Sequence, residues 1–224
     1  MSEIAARLME VRERIERAAL RANRDPQSIR LVAVSKAQPA NKIREAYRAG
    51  QRIFGENYAQ ELREKTEAFA DLEGLEWHFI GHLQSNKAKL VAPVARLVHT
   101  VDSEGLAREL VKRAPGNHLR ALLEVNVGSE PQKGGAPPDR ILDLARLLSS
   151  IEGLELQGLM CVPPFDRPSR PFFARLREVR DQVGEALHLP LPELSMGMSG
   201  DFEEAIAEGA TLVRVGTAIF GERQ

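Results

Sequence analysis

The chain has 224 residues, enough for one sizeable core, and single α/β barrels are common at this length. Its 31 basic and 32 acidic side chains nearly cancel and form no long single-sign block, which excludes the electrostatic footprint of a nucleic-acid or anionic-membrane binder. One cysteine excludes an internal disulfide; with a charged N-terminus and no apolar run near the roughly 18 residues of a membrane span, a cytoplasmic protein without signal peptide or transmembrane helix is expected.

Residues Ser2 to Asn23 predict a helix, because Ile4, Leu8, Val11 and Ile15 alternate spacings of four and three and so share one stripe. The stripe is expected to pack on the rest of the domain; a partner surface is the alternative. Leu31 to Val34 follow as an apolar run without polar alternation, as in a parallel strand covered on both faces. Lys36 lies just past it. Pro39 ends the extended segment, and Asn41 to Gly50 reads as a helix stopped by glycine.

The same strand-then-helix unit recurs along the chain. Arg52 to Phe54 is a short strand with Gly55, Glu56 and Asn57 at its exit, then a helix to about Phe69. Trp77 to Ile80 is a strand whose exit is Gly81 to Gln84. Leu97 to Asp102 leads to a helix over Ser103 to Arg113, with Asp102 or Ser103 as N-cap. Leu119 to Val127 is the fifth strand, followed by a Gly- and Pro-rich loop, Gly128 to Pro138, and a helix over Asp139 to Leu148. Leu154 to Val162, a helix over Pro171 to Leu187, Glu193 to Met198, a helix over Asp201 to Glu208, and Thr211 to Val215 complete the series.

Eight such units predict a (β/α)8 barrel of the TIM type, with the N-terminal helix as an extra layer and residues 1–224 as a single domain. A doubly wound open sheet is the alternative, but no Gly-x-Gly-x-x-Gly turn follows the first strand. Barrel chemistry gathers at the strands' carboxyl ends. Those exits carry Lys36, Glu56-Asn57, Gly81 to Gln84, Asp102, Asn126, Met160-Cys161, Ser199-Gly200 and Gly216-Thr217.

The last two exits pair hydroxyls and glycines with helix starts, where unpaired N–H groups favour an anion. Two ordinary caps are the alternative for either loop alone; together they favour a phosphate. Arg214 sits inside an apolar strand and needs an acceptor, either a carboxylate such as Glu56 or Asp102 or an atom of a ligand. A lysine, a phosphate cradle and a buried arginine on one rim suggest a phosphorylated aldehyde held as a Schiff base, and pyridoxal 5′-phosphate (PLP) fits.

Val34-Ser-Lys-Ala-Gln-Pro39, Phe54-Gly-Glu-Asn-Tyr58, Trp77-His-Phe-Ile-Gly-His-Leu-Gln-Ser-Asn-Lys87, Leu194-Ser-Met-Gly-Met-Ser199 and Val213-Arg-Val-Gly-Thr-Ala-Ile-Phe-Gly221 together resemble the pyridoxal phosphate homeostasis protein family, whose barrel is similar to that of alanine racemases. The resemblance implies Lys36 as the covalent aldimine lysine and Ser199, Gly216 and Thr217, flanked by Met198 and Gly200, as the phosphate site. Arg214 would face the pyridine nitrogen, and Asn57 and His82 would line the pocket. Segment 126–135 departs from the family's acidic-and-serine loop, though Lys133-Gly-Gly is kept.

Guanidinium offers donors only, so a ring nitrogen facing Arg214 stays unprotonated and is a weaker electron sink. This disfavours carbanion chemistry such as transamination, although the alanine racemases that the family resembles share the arginine arrangement; a carrier that buffers PLP, or delivers it to PLP-dependent apoenzymes, is preferred to an enzyme. A PLP-dependent racemase is the runner-up, although the chain carries no residues for a second β-domain and only Tyr47 and Tyr58 as tyrosine acids. A Schiff-base phosphosugar aldolase is third. Cys161 reads as a small buried hydrophobe and Met196 and Met198 as barrel packing; His78 and His99 lie in strands without metal-ligand spacing, so no metal is expected. A monomer is expected.

Overall fold

A computed structural model of the chain describes residues 2–222. The expected bounds of 1–224 also take in positions 1, 223 and 224, which lie outside the described residues. Eight parallel strands close in sequence order into a barrel: β1 (Arg30–Val34), β2 (Ile53–Glu56), β3 (Glu76–Phe79), β4 (Leu97–Val101), β5 (Leu119–Glu124), β6 (Leu154–Met160), β7 (Glu193–Ser195) and β8 (Leu212–Val215). β1 pairs with β8, Val32 beside Arg214, and this pairing closes the ring.

Helix α1 (Glu3–Arg21) precedes the barrel, and Ser2 caps it by accepting the Ala5 N–H at 3.2 Å. The helices between strands are α2 (Ala40–Arg48), α3 (Ala59–Ala68), α4 (Ala88–Val91), α5 (Glu104–Arg113), α6 (Ile141–Ser149), α7 (Arg170–Leu187) and α8 (Phe202–Ala207), and α9 (Thr217–Phe220) follows β8. None of these helices is long and apolar enough to cross a membrane. The predicted stripe of α1 is buried at Ile4, Leu8, Val11 and Ile15, and the helix lies against α2, α8 and α9. Burying each such side chain contributes about 1.5–3 kcal/mol. Polar ties add direction, since Arg14 grips Glu203 through two hydrogen bonds and Arg24 donates to the Ile206 carbonyl.

Two cores result from the alternation of the strands. Residues facing the helices form the large outer core, whereas Val32, Leu97, Leu122, Met160 and Leu212 form a separate cluster with Ile53 packed against it.

The elements differ from expectation mainly at strand ends. β5 stops at Glu124 rather than Val127, because Val125 bridges Ala136 and the chain turns into its own loop. β7 stops at Ser195 rather than Met198, because Gly197 takes φ +90°. The one-turn α4 went unpredicted; too short to show a period, it follows a 3-10 turn over Ser85–Lys87. Ser103 is the N-cap of α5 by backbone position and makes no capping bond through its side chain.

Candidate functional site at the barrel mouth

Lys36 lies in the turn after β1, partly buried, and both neighbours of this residue are clamped. On one side, Ser35 Oγ donates to Glu56 Oε1 at 2.6 Å, and the Ser35 carbonyl accepts from Lys65 Nζ at 2.6 Å. On the other, the Ala37 N–H donates to Glu61 Oε1 at 2.8 Å, and Ala37 holds φ +56°, an unfavourable conformation for a residue with a Cβ. Lys65 Nζ joins the two sides through contacts of 2.7 Å to Glu56 and to Glu61. Burial pushes the Glu56 carboxyl up to about 7 against the opposing pull of Lys65 and Ser35. This polar knot between β1, β2 and α3 sets the backbone from which Lys36 projects.

Arg214 is 4% exposed. Its acceptors are neither Glu56 nor Asp102, as the sequence had suggested: Nη1 donates to Ser195 Oγ at 2.5 Å and Nη2 to the Cys161 carbonyl at 2.9 Å. Glu56 is directed to α3, where Lys65 meets it. Two of the guanidinium's five donors are thereby anchored in the protein, leaving three for another acceptor.

The loops after β7 and β8 meet as expected. Ser199 Oγ lies 3.4 Å from the Ala218 N–H, which donates to it, and a Cβ at Gly200 would meet open space. Gly216 abuts the end of β1, where an added Cβ would lie 3.4 Å from Val34 Cβ, so this exit and that of Lys36 adjoin. Thr217 is exposed and begins α9. A cleft of about 510 Å³ is lined by Ser199, Thr217 and Ala218 together with Arg7, Glu10 and Arg14 of α1 and Glu222, and both arginines are paired, Arg7 with Glu3 and Arg14 with Glu203. Met198 departs from the packing expectation: it is 39% exposed, while Met196 is fully buried. The Met198 N–H donates to Asp201 Oδ1 at 2.7 Å.

Asn57 follows β2, and its Oδ1 is buried without a hydrogen-bond partner among the described residues. Gly81 holds it there, since a Cβ at Gly81 would come 2.1 Å from the Asn57 carbonyl oxygen, and Thr100 Oγ1 pins the Gly81 carbonyl at 2.6 Å. Gly81→Ala is therefore expected to cost about 1–3 kcal/mol of stability by overpacking, measured by urea denaturation. An unchanged midpoint would show that this exit yields.

Sequence reasoning missed Glu124 at the end of β5. Its Oε2 is buried without a partner among the described residues, and burial, then Asp102, push the carboxyl up to about 7 against the pull of Arg214. The signal was present: a carboxylate inside the apolar run Ala121-Leu-Leu-Glu-Val125 poses the same question as Arg214 in β8. The loop after β5 folds back over it. Asn126 and Glu130 exchange two hydrogen bonds, Lys133 Nζ donates to the Pro163 carbonyl, and Gly134 reaches a point where an added Cβ would lie 3.2 Å from His82 Nδ1 and 3.5 Å from Glu124 Oε2. His82 itself is exposed.

Cys161 is fully buried and its thiol is pushed up to about 12 by burial, consistent with packing and not with attack. Tyr47 lies away from the mouth, its hydroxyl donating to the Glu73 carbonyl, and Tyr58 is 58% exposed on the rim.

The sequence profile described as "Alanine racemase, N-terminal domain" matches residues 7–224. The chain is 46% identical over 223 residues to a pyridoxal phosphate homeostasis protein of Aquifex aeolicus (strain VF5), covering 97% of each chain. It is 43% identical over 229 residues to one of Escherichia coli (strain K12), covering 100% of this chain and 98% of the relative. Among solved structures, PipY of Synechococcus elongatus PCC7942 with PLP bound superposes with a TM-score of 0.84 at 38% identity, covering 98% of this chain and 100% of that one. On that identity and coverage, the chain belongs to the pyridoxal phosphate homeostasis protein family, built on the barrel of the alanine racemase N-terminal domain.

Proposed function

We propose that this chain, acting as one cytoplasmic domain and as a monomer, binds PLP by a reversible Schiff base at Lys36 Nζ and serves its homeostasis without turning over a substrate. When bound, PLP supplies an aldehyde that condenses reversibly with an amine. The residues present fit it. Ser199 Oγ, Thr217 Oγ1 and the N–H groups of Gly200 and Gly216, with Met198 at the edge, would hold the phosphate, Ser199 and Thr217 lining one cleft beside α1. Asn57 Oδ1, without a hydrogen-bond partner among the described residues, lines the ring site, and His82 lines the rim.

The observation that carries the reading is the anchored guanidinium of Arg214: a donor-only group, buried, with two N–H groups tied to Ser195 and Cys161. Held against a pyridine nitrogen, it keeps that nitrogen an acceptor and so weakens the ring as an electron sink. That disfavours carbanion chemistry such as transamination, and the case against racemisation rests instead on the tyrosines, Tyr47 tied to the Glu73 carbonyl and Tyr58 exposed on the rim.

Purified protein loaded with PLP is expected to show the absorbance band of a PLP Schiff base, and borohydride followed by peptide mapping to place a pyridoxyl group on Lys36. Lys36→Ala should lose both. Amino acids added to the loaded protein should retain their α-proton. Absence of band and adduct from PLP-treated wild type would sink the reading, and α-proton exchange would replace the carrier with a racemase.

A further inference from the structure

Three side chains that the cofactor reading leaves unexplained run through the barrel interior and end on Arg214. His78 of β3, His99 of β4, Ser195 of β7 and Arg214 of β8 are each at most 4% exposed. His78 Nδ1 lies 2.9 Å from His99 Nε2, and His99 Nδ1 lies 2.8 Å from Ser195 Oγ, the same oxygen that accepts from Arg214. At the far end, His78 Nε2 faces the Glu76 carboxylate at 3.9 Å. The chain thus spans the barrel from its amino-terminal rim to the guanidinium.

The charges at the two ends favour one direction for the hydrogens, although Glu76 at 3.9 Å acts on His78 by its charge and not through a hydrogen bond. Arg214 can only donate and an ionised Glu76 can only accept. Burial lowers the proton affinity of both imidazoles, that of His99 further through His78 and Arg214, so both rings are neutral and each carries one hydrogen. With the His78 hydrogen on Nε2, toward Glu76, Nδ1 is bare and must accept from His99 Nε2–H. His99 Nδ1 is then bare in turn and takes the Ser195 hydroxyl hydrogen. That leaves the Ser195 lone pairs turned toward Arg214. Without His99, the hydroxyl could rotate its hydrogen into the guanidinium and lose the contact.

We propose that Ser195 and His99 are positioning residues for Arg214, the one-way hydrogen-bond chain holding the guanidinium so that its unanchored N–H groups present to the ring nitrogen of bound cofactor. The proposal rests on the PLP reading above. It adds that the set of the guanidinium is fixed from the opposite end of the barrel, by groups that never touch the ligand.

The test has one arm without cofactor and one with it. In unloaded 15N-labelled protein at neutral pH, with resonances assigned through His78 and His99 variants, both imidazoles should be neutral with hydrogen on Nε2. Hydrogen on His99 Nδ1 overturns the polarity. In the loaded arm, Ser195→Ala and His99→Phe should bind PLP about tenfold more weakly, the loss of roughly one hydrogen bond to a charged group, with a displaced absorbance band. His99→Gln, whose carbonyl can take the serine hydrogen, should stay within about twofold of wild type. Thermal midpoints establish that each variant folds; should His99→Phe not fold, Ser195→Ala and the wild-type 15N measurement decide. Wild-type uptake with indifferent Ser195→Ala and His99→Phe overturns the positioning role alone, whereas no uptake by wild type overturns the PLP reading with it.

Discussion

Lys65→Met is expected to destabilise the protein by about 3–5 kcal/mol at pH 8, because it leaves the fully buried Glu56 carboxylate without its cation. The Ser35 carbonyl also loses its donor, and Glu61, which holds Ala37, loses its partner, so the turn carrying Lys36 loosens with the fold. Burial raises Glu56 to about 7 from an ordinary 4.5, so the folded state keeps a proton that the unfolded chain releases between those values. Stability from this group is therefore full below about 4.5, falls as pH rises to about 7, and is flat above. Without Lys65 the folded value rises further, extending the fall to higher pH. Urea titrations at pH 5 and pH 8 should show a much smaller penalty at pH 5, and Glu56→Gln in the Lys65→Met background should recover most of the loss. An equal penalty at both pH values would mean that Lys65 acts through packing and not through charge.

Glu124→Gln should do the opposite. Glu124 is raised to about 7 chiefly by burial, with Asp102 adding to it and Arg214 opposing, and it has no ion-pair partner among the described residues. Between pH 4.5 and 7 the native carboxyl holds a proton that the unfolded one gives up, so wild-type stability falls across this window. At about 1.4 kcal/mol per pH unit the fall is at most about 3.5 kcal/mol. Gln keeps the shape and cannot ionise. The variant should match wild type near pH 4.5 and exceed it by up to that amount at pH 8, with about half of the wild-type slope remaining from Glu56. A difference independent of pH would show that the carboxyl titrates normally.

The chain's local patterns were sufficient for the barrel and for much of its rim. An apolar run ending two residues before Lys36, an arginine within Leu212-Val-Arg-Val215, and small residues with hydroxyls at two successive exits are each properties of a few neighbouring residues, and the parallel direction of the strands follows from the repeated strand-then-helix unit. The same logic applied to Glu124 would have found it. What the sequence could not supply were partners.

That Arg214 meets Ser195 and Cys161, that His78 meets His99, and that Lys65 of α3 reaches across to Ser35 all depend on how far each strand is staggered against its neighbours when the sheet closes. The loop after β5 likewise finds Glu124 only by folding back to bridge Val125 with Ala136. Hydrophobic period records which face a residue takes. It carries no information about stagger, which is settled by packing around the whole ring, and hydrogen bonds that form or fail within a few tenths of an ångström are therefore decided by the tertiary structure.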